Sequence, residues 1–344
     1  MTTTKNRIHG VLAGALVVTG CAGSSFGGST HAYIIEGSGF FGAPGIELAV
    51  VGRVNLSDPS DVEVFPMAGD VLRFGGADMS SSGSLIAVEN TTNSLRALDV
   101  MGGGNTLIDS IGFMESGVVG MALTNDGSTA IVVNTVGAFL RFIQADAATG
   151  EVLSVNNILS FNPISSLAIV PEGHPTLDAG DLYGLATTNG GGVQLVEVDL
   201  GANTIASTLS VSGIGFSAQF ETGLDFAPDG TLYAVVQGFN EVSPDVFVEI
   251  SSSLFTVDTS TGAASEVGVI ESSQTWDAVT LVVEEAGGAC LADLTGEGDL
   301  NFLDVSAFLS AYGAMDPSAD FETDGSFNFL DVSAFLAAFA AGCP

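Results

Sequence analysis

Positively charged residues are scarce in this sequence. Its 344 residues include 6 Lys and Arg against 40 Asp and Glu, and the formal net charge is −34. The last cation is Arg141, so everything after it carries acidic charge alone. Nucleic acids and anionic membrane surfaces are bound by clusters of Lys and Arg. Binding to either is therefore not expected, whereas metal cations should be attracted.

Side chains for nucleophilic or general-base catalysis are also scarce. A mature chain could keep at most His31 and His174, and His174 lies between Gly173 and Pro175, a setting typical of a surface turn. No Gly-x-Ser-x-Gly, His-Glu-x-x-His or phosphate-loop motif occurs. The sequence thus excludes Ser–His catalysis. Paired carboxylates, as in a glycosidase or a calcium-dependent lactonase, are the catalytic possibility that remains.

No apolar run is long enough to span a bilayer. Two N-terminal cations precede the apolar stretch 11–18, which is the order of an export signal, and we assign residues 1–32 to that signal. We therefore predict an exported protein, secreted or associated with the cell surface.

Two interpretations of the cleavage site remain open. Val18-Thr19-Gly20-Cys21 resembles a lipoprotein box and would place a lipid anchor on Cys21, whereas Thr30-His31-Ala32 fits an ordinary signal peptidase. With Cys21 in the export segment, Cys290 and Cys343 remain as one pair. An oxidising compartment favours a disulfide between them. Two unpaired buried thiols are the alternative.

Residues 33–285 show short β-type runs separated by turn residues, as in Leu85–Val88, Ala130–Val133, Val193–Val198 and Leu232–Val236. Turn glycines recur near four of these runs, at Gly83, Gly127, Gly173 and Gly230, with spacings of 44, 46 and 57 residues. That pitch is about the length of a four-stranded propeller blade, roughly 40 to 50 residues.

The pattern resembles the degenerate blades of bacterial exported β-propellers, and we predict a mainly β fold of about five blades over residues 33–285. Trp276–Val283 would be a last strand that closes the ring against the first blade. A β-sandwich or a β-helix is the rival fold. Residues 286–289 are predicted to form a hinge before a small C-terminal domain at 290–344.

The C-terminal domain contains a duplicated loop. Asp293–Asp304 is repeated 27 residues later by Asp320–Asp331. An EF-hand-type loop binds Ca²⁺ through oxygens at positions 1, 3, 5, 7, 9 and 12 and has glycine at position 6. Both segments have this pattern, with Gly298 and Gly325 at position 6. The predicted ligands of two calcium ions are Asp293, Thr295, Glu297, Asp299, Asn301 and Asp304 in loop one and Asp320, Glu322, Asp324, Ser326, Asn328 and Asp331 in loop two.

A helix is predicted after each loop because apolar residues recur there at helical spacing. The apolar positions are Val305, Phe308, Leu309 and Tyr312, repeated as Val332, Phe335, Leu336 and Phe339. These two faces are expected to pack on each other.

A calcium loop followed by its exiting helix, duplicated, with Asn at position 9 and Asp at position 12, resembles the dockerin family. Gly342-Cys343 at one end of the module and Cys290 at the other resemble the GC-type dockerins. This resemblance implies a disulfide clasp between the two cysteines. It also implies calcium-dependent binding to a cohesin-like partner on a scaffold or cell surface.

The resemblance places partner recognition at positions 10 and 11 of each loop. These positions hold Phe302-Leu303 and Phe329-Leu330 instead of the Ser/Thr pairs of cellulosomal dockerins. Because the pair is duplicated, either helix could meet the partner. The alternative is that these four side chains fill the core of the module itself.

For the main domain the sequence leaves three hypotheses. The first is a binding domain of unknown ligand, displayed by the C-terminal module. The second is a carbohydrate-active or lactone-hydrolysing propeller, for which Glu221, Asp225, Trp276 and Asp277 are candidates because they lie near predicted starts of inner strands. The third is a structural surface protein whose C-terminal segment stabilises its end.

Overall fold

The computed structural model describes residues 31–36, 50–67, 74–80, 84–90, 92–100, 103–112, 119–160, 162–188, 190–243, 246–270, 278–284, 292, 294–295, 301–316, 319, 321 and 327–341. Within these residues the chain is mainly β-structure, with two helices near its C-terminus. No described helix is both long and apolar enough to cross a membrane.

The strands, in chain order, are β1 His31–Glu36, β2 Val50–Asn55, β3 Asp58–Pro66, β4 Phe74–Met79, β5 Leu85–Glu89, β6 Ser94–Asp99, β7 Gly104–Ser110, β8 Val119–Leu123, β9 Thr129–Val136, β10 Phe139–Asp146, β11 Val152–Leu159, β12 Ile164–Ile169, β13 Leu182–Thr187, β14 Val193–Asp199, β15 Thr204–Ser210, β16 Ser217–Phe226, β17 Leu232–Ser243, β18 Val246–Val257, β19 Ala264–Val269 and β20 Ala278–Val283.

These strands form five antiparallel sheets of four strands each. Blades 2 to 5 are the consecutive sets β4–β7, β8–β11, β12–β15 and β16–β19, and blade 1 has the order β20-β1-β2-β3. The first strand of each sheet contacts the first strands of its two neighbours, in the closed order β4, β8, β12, β16, β20. A closed ring of radially arranged sheets is a β-propeller. The predicted count of about five blades is confirmed, and the sandwich and the β-helix were wrong.

The recurring turn glycines have one structural role. Gly127, Gly173 and Gly230 all lie in the loop between the inner and second strands of their blades, and all have positive φ, from 68° to 86°. Glycine adopts this backbone conformation without a steric penalty. The spacing of these three glycines therefore marked blades 3, 4 and 5, which share a tight turn next to the inner strand. Gly83 lies outside the described residues.

Blade 1 is built from both ends of the propeller sequence. The inner strand β20 pairs with β1 from Ala32↔Val283 to Glu36↔Ala278, which confirms the predicted closure by the last strand. Beyond the strands, Arg53 donates to both carboxylate oxygens of Glu284, at 2.5 and 2.9 Å. Two parallel charge-assisted hydrogen bonds of this kind are stronger than a single-contact ion pair. The closure is thus fixed by a backbone ladder and by a bidentate ion pair.

The hydrophobic core is divided among the contacts between blades. Alternate residues of each second strand point to opposite neighbours: Val236 packs toward blade 4, and Val235 packs with Ile34 and Leu281 of blade 1. This alternation follows from the two-residue period of a strand. Each blade is therefore apolar on both faces, as the continuous β-type runs require.

The two helices follow the duplicated loops, as predicted: α1 is Phe302–Ala314 and α2 is Phe329–Ala341. Phe308 and Phe335 stack at a centroid distance of 4.0 Å with ring planes 4° apart, and Phe321 packs edge-on against both. The two helices therefore share a small aromatic core.

Tyr33 offers a test of the closure through its titration. Burial, followed by the carboxylate charge and hydrogen bond of Glu284, raises the pKa of Tyr33 to about 12. The raised value means that the folded state favours the neutral phenol. Its stabilising contribution is complete below about pH 10, the ordinary tyrosine pKa, and is lost as the pH rises toward 12.

We expect the free energy of unfolding to fall more steeply between about pH 10 and 12 in the native chain than in a Tyr33→Phe variant. Denaturant unfolding across this range measures the difference. Parallel curves for the two proteins would contradict this role of Tyr33.

Candidate functional site

The start of each C-terminal helix has the same hydrogen bonds. In α1, the Leu303 N–H donates to Asn301 Oδ1 at 2.7 Å, and the Asn301 N–H donates to Asp304 Oδ2 at 2.9 Å. In α2, the Leu330 N–H donates to Asn328 Oδ1 and the Asn328 N–H to Asp331 Oδ2, both at 2.8 Å. This is a capping box with Asp in place of the usual Glu. Positions 9 and 12 of each predicted calcium loop are thereby held in a fixed geometry.

Asp304 and Asp331 are completely buried. In loop one, Thr295 donates to Asp304 Oδ1 from its backbone N–H at 3.1 Å and from its hydroxyl at 2.7 Å, which joins positions 3 and 12. A buried carboxylate is costly unless charge or hydrogen bonds compensate it. No Lys or Arg follows Arg141, so the module has no cationic side chain of its own to supply that charge.

The described part of the loops carries oxygen donors of the kind that Ca²⁺ prefers. They belong to Thr295, Asn301, Asp304, Asn328 and Asp331. Among the described residues, no group of three or more His, Cys, Asp and Glu is close enough to hold a metal. The other predicted ligands lie outside the described residues: Asp293, Glu297, Asp299, Asp320, Glu322, Asp324 and Ser326. Cys21, Cys290 and Cys343 lie outside them as well.

The predicted recognition pairs lie on the surface. Phe302 and Phe329 are 78% and 77% exposed, and Leu303 and Leu330 are each 55% exposed. The alternative that these side chains fill the core of the module was wrong. Such large apolar side chains are seldom left exposed without a binding role when they form a patch.

Leu309 and Leu336 were predicted to pack between the helices, and this was wrong: they are 59% and 53% exposed. The stacked rings of Phe308 and Phe335 fill the contact, and the next residue along each helix points about 100° away from it. Each leucine therefore extends the exposed patch of its helix. We call Phe302, Leu303 and Leu309, with Phe329, Leu330 and Leu336, the paired apolar surfaces.

In the propeller, the channel between the inner strands is filled by small residues. A Cβ atom on Gly76, Gly120 or Gly223 would lie under 3.0 Å from backbone atoms of the next inner strand. At the equivalent height, Thr222 shares hydrogen bonds of 2.5 and 3.0 Å with the hydroxyls of Ser165 and Ser166. The centre of the ring is thus lined by Gly, Ser and Thr.

Two inner-strand carboxylates hold neighbouring strands together. Asp78 accepts the backbone N–H of Leu123 at 2.6 Å, and Asp225 accepts that of Val283 at 2.7 Å. Each also accepts the N–H of the residue that follows it. Because both carboxylates are used in this way, they act as clamps between inner strands.

Asp225 lies near the end of β16, so the prediction that it stands at the start of an inner strand was wrong. The tight turn at Gly230 follows this aspartate by only a few residues. The aspartate therefore indicated the end of the strand and not its start. Glu221 is within β16, and its side chain lies outside the described residues, as do Trp276 and Asp277. Asp78 was missed because nothing in its sequence context distinguishes a clamp from a solvated aspartate.

His174 is fixed as a structural residue. Its Nδ1 accepts the backbone N–H groups of Thr176 and Leu177 at 3.3 and 3.0 Å, which leaves the proton on Nε2 to donate to the Gly230 carbonyl at 3.2 Å. The imidazole links the loop of blade 4 to that of blade 5. This agrees with the predicted surface turn.

A cavity and a groove adjoin the end of the channel where the clamps lie. The cavity has a volume of about 50 Å³ and is lined by both clamp aspartates. The groove, of about 420 Å³, lies between the loops of blades 3 and 4 and includes Asp126 and Glu172. Hydrogen bonds from Thr124 and Ser128 lower the pKa of Asp126 to about 2, so this wall stays anionic. The groove can accept a polar or cationic molecule.

At the opposite end of the channel, Gln237 is fully buried, and neither atom of its amide has a hydrogen-bond partner within the protein. The pairing of β17 shifts at this residue against both β16 and β18, so bulges face it on both sides. Buried polar groups normally have partners, and ordered water is the usual one where protein atoms are absent.

Comparison with known proteins leaves the family open. No family model matches the chain, and no curated protein matches it. Among solved structures, hydrazine synthase from Kuenenia stuttgartiensis is 16% identical over 66% of this chain and 62% of its own, with a TM-score of 0.39. A protein of unknown function from Bacteroides caccae is 12% identical over 75% and 100%, with a TM-score of 0.41. TolB from Acinetobacter baumannii is 14% identical over 72% and 54%, also at 0.41.

This chain therefore spans less than two thirds of the hydrazine synthase and TolB chains. At these identities and TM-scores, the activities of the similar proteins are not assigned to this chain. The propeller assignment depends on the strand pairing described above.

The clamps can be tested by substitution. Asp225→Asn and Asp78→Asn each leave one acceptor oxygen for two N–H donors, so one buried donor loses its partner. We expect each variant to lose about 1 to 3 kcal/mol of unfolding free energy. The exposed Glu172→Gln should lose less than about 0.5 kcal/mol. Chemical denaturation measures all three, and equal stabilities would contradict the clamp role.

Proposed function

We propose that this chain is an exported, surface- or scaffold-attached protein. Its C-terminal module would bind two calcium ions and a cohesin-like partner and so display a β-propeller that acts as a binding domain. The observation that carries this proposal is the exposure of Phe302, Leu303, Phe329 and Leu330 at the start of two helices whose capping carboxylates are buried.

Calcium is supported by charge balance. Asp304 and Asp331 are buried in a module without Lys or Arg, and loop residues provide further oxygen donors around them. A divalent ion would add positive charge beside these carboxylates and would couple the loops to folding, as small modules often require. The capping box would hold position 12 ready for the ion.

Two partner sites of equal shape are supported by the identical sequences of the two helix starts and by the exposure of their apolar side chains. Asn301–Leu309 and Asn328–Leu336 are the same nine residues, NFLDVSAFL. The paired apolar surfaces therefore present the same side chains on two helices that pack through one aromatic stack. A partner that fits one surface would fit the other.

A binding role for the propeller is supported by the groove beside its channel. The channel itself is filled by Gly, Ser and Thr, and the clamp carboxylates Asp78 and Asp225 are used by backbone donors. The groove beside Asp126 is open and anionic, which suits a polar or cationic ligand. The catalytic alternative, a carbohydrate-active or lactone-hydrolysing enzyme, has no comparable support.

The calcium proposal predicts unequal loops. Position 7 of each loop, Asp299 or Ser326, would bind through its backbone carbonyl. The predicted side-chain ligands of loop two therefore include four carboxylates and those of loop one three. We expect Asp331→Ala to lower total calcium affinity by roughly tenfold or more, and Asp304→Ala to have a smaller effect. Isothermal calorimetry measures both, with Asp316→Ala, outside the loops, as the matched control.

Removal of calcium should also reduce the helical circular dichroism of the full chain and leave its β signal in place. A larger loss of affinity from Asp304→Ala would contradict the ranking of the loops. Calcium-independent helicity would contradict the coupling of metal to folding.

The partner proposal predicts redundancy. Phe302→Ser and Phe329→Ser should each retain calcium-dependent capture of the partner, whereas the double variant should lose it, because either surface is sufficient. Leu107→Ser changes an apolar residue that is 54% exposed on β7 and serves as the control. Captured proteins are identified by mass spectrometry. Full capture by the double variant would refute the assigned surfaces, and no calcium-dependent capture by the native chain would favour a purely structural C-terminus.

A further inference from the structure

The first strand of the propeller overlaps the sequence assigned to the export signal. Thr30-His31-Ala32 fits an ordinary signal peptidase that would cut after Ala32. In the structure, however, His31 and Ala32 are the first two of the six residues of β1. Cleavage at this position would therefore shorten a strand of the folded domain.

Both residues are integrated in blade 1. β1 lies between β20 and β2, and Ala32 pairs with Val283 on one side and Val54 on the other. Ala32 is fully buried, within the core cluster that includes Ile34 and Leu281. Ala32 is thus a core residue of the strand that holds the ring-closing strand.

His31 completes the ladder at the point where β20 ends. Its carbonyl oxygen accepts the backbone N–H of Glu284 at 3.0 Å, and the residue pairs with Asn55 on the other side. Glu284 also carries the bidentate ion pair with Arg53. Loss of His31 would leave the Glu284 N–H without this acceptor, beside the ion pair that stabilises the closure.

A chain cut after Ala32 would also begin with a charged amino group on Tyr33. Tyr33 pairs with Arg53 of β2 and Val282 of β20, so this group would lie between two strands. An ammonium group taken from water into such a position is costly unless it is paired. Cleavage during export precedes folding, so burial does not protect Ala32, and the cost would fall on the stability of the product.

We infer that export processing leaves β1 whole, so that the mature chain begins at His31 or upstream of it. The inference rests on the proposed export of the protein. Of the two cleavage interpretations, the one at the lipoprotein box meets the requirement, because its product would begin at Cys21. The cut after Ala32 does not meet it.

The first test is the N-terminus of the exported protein. The full chain is produced in a bacterial host, and the exported fraction is examined by intact mass and N-terminal peptide sequencing. We expect a first residue at or before His31. A diacylglyceryl mass on Cys21 would identify the lipoprotein route, and an unmodified start between residues 21 and 31 would identify an ordinary peptidase acting further upstream. A start at Tyr33 would overturn the inference.

The second test does not depend on export. Chains that begin at residues 23, 31 and 33 and extend to residue 344 are released from a cleavable N-terminal fusion, so that no residue is added. We expect the first two to melt at the same temperature and the third to melt about 5 °C or more lower. Equal melting temperatures for all three would overturn the inference. If no exported product is found, the proposed function fails, and the melting temperatures still decide the requirement for His31 and Ala32.

Discussion

β20 brings the end of the propeller sequence into the sheet that begins it, and the other four blades can form a closed ring because this strand occupies the fifth inner position. Its partners come from distant parts of the chain. β1 provides a backbone ladder, Arg53 binds the carboxylate of the residue that follows, and Asp225 accepts the N–H of Val283. Contacts of such large sequence separation carry a high entropic cost during folding. Several interactions at one junction offset that cost.

Backbone N–H groups hold several carboxylates in this chain, which has 40 Asp and Glu against 6 Lys and Arg. Asp78 and Asp225 accept backbone N–H groups of adjacent strands, and Asp304 and Asp331 accept those at the start of a helix. Aspartates in turns, such as Asp146 and Asp258, accept N–H and hydroxyl groups within their own turns, which lowers their pKa values. Backbone N–H groups are therefore recurring donors to the carboxylates of this chain.

Local signals in the sequence predicted blades 3 to 5 well because these blades share one turn. The loop after the inner strand of each contains a glycine with positive φ, at positions 127, 173 and 230. The helices were predictable for the same reason, since Phe308 and Phe335 recur at helical spacing. The direction of single side chains was less predictable. Leu309 is apolar and at helical spacing, as a core residue would be, but the stacked rings of Phe308 and Phe335 occupy the contact between the helices and Leu309 is exposed.

The clamps could not be predicted because their partners lie in another blade. Asp78 and Leu123 are 45 residues apart, and Asp225 and Val283 are 58 apart. The ring geometry brings them together, and no local pattern encodes it. For the Phe-Leu pairs the sequence left two alternatives, recognition of a partner or filling of the module's own core, and the structure places these side chains on the surface.

The hydrogen bond between the Glu284 N–H and the His31 carbonyl places the first and the last described residues of the propeller side by side. Both lie at the end of the channel where Val283 and the clamp aspartates are found. A force applied to either residue would therefore act on the same end of the ring and on the same junction. The bulges around Gln237 lie at the opposite end, away from that junction.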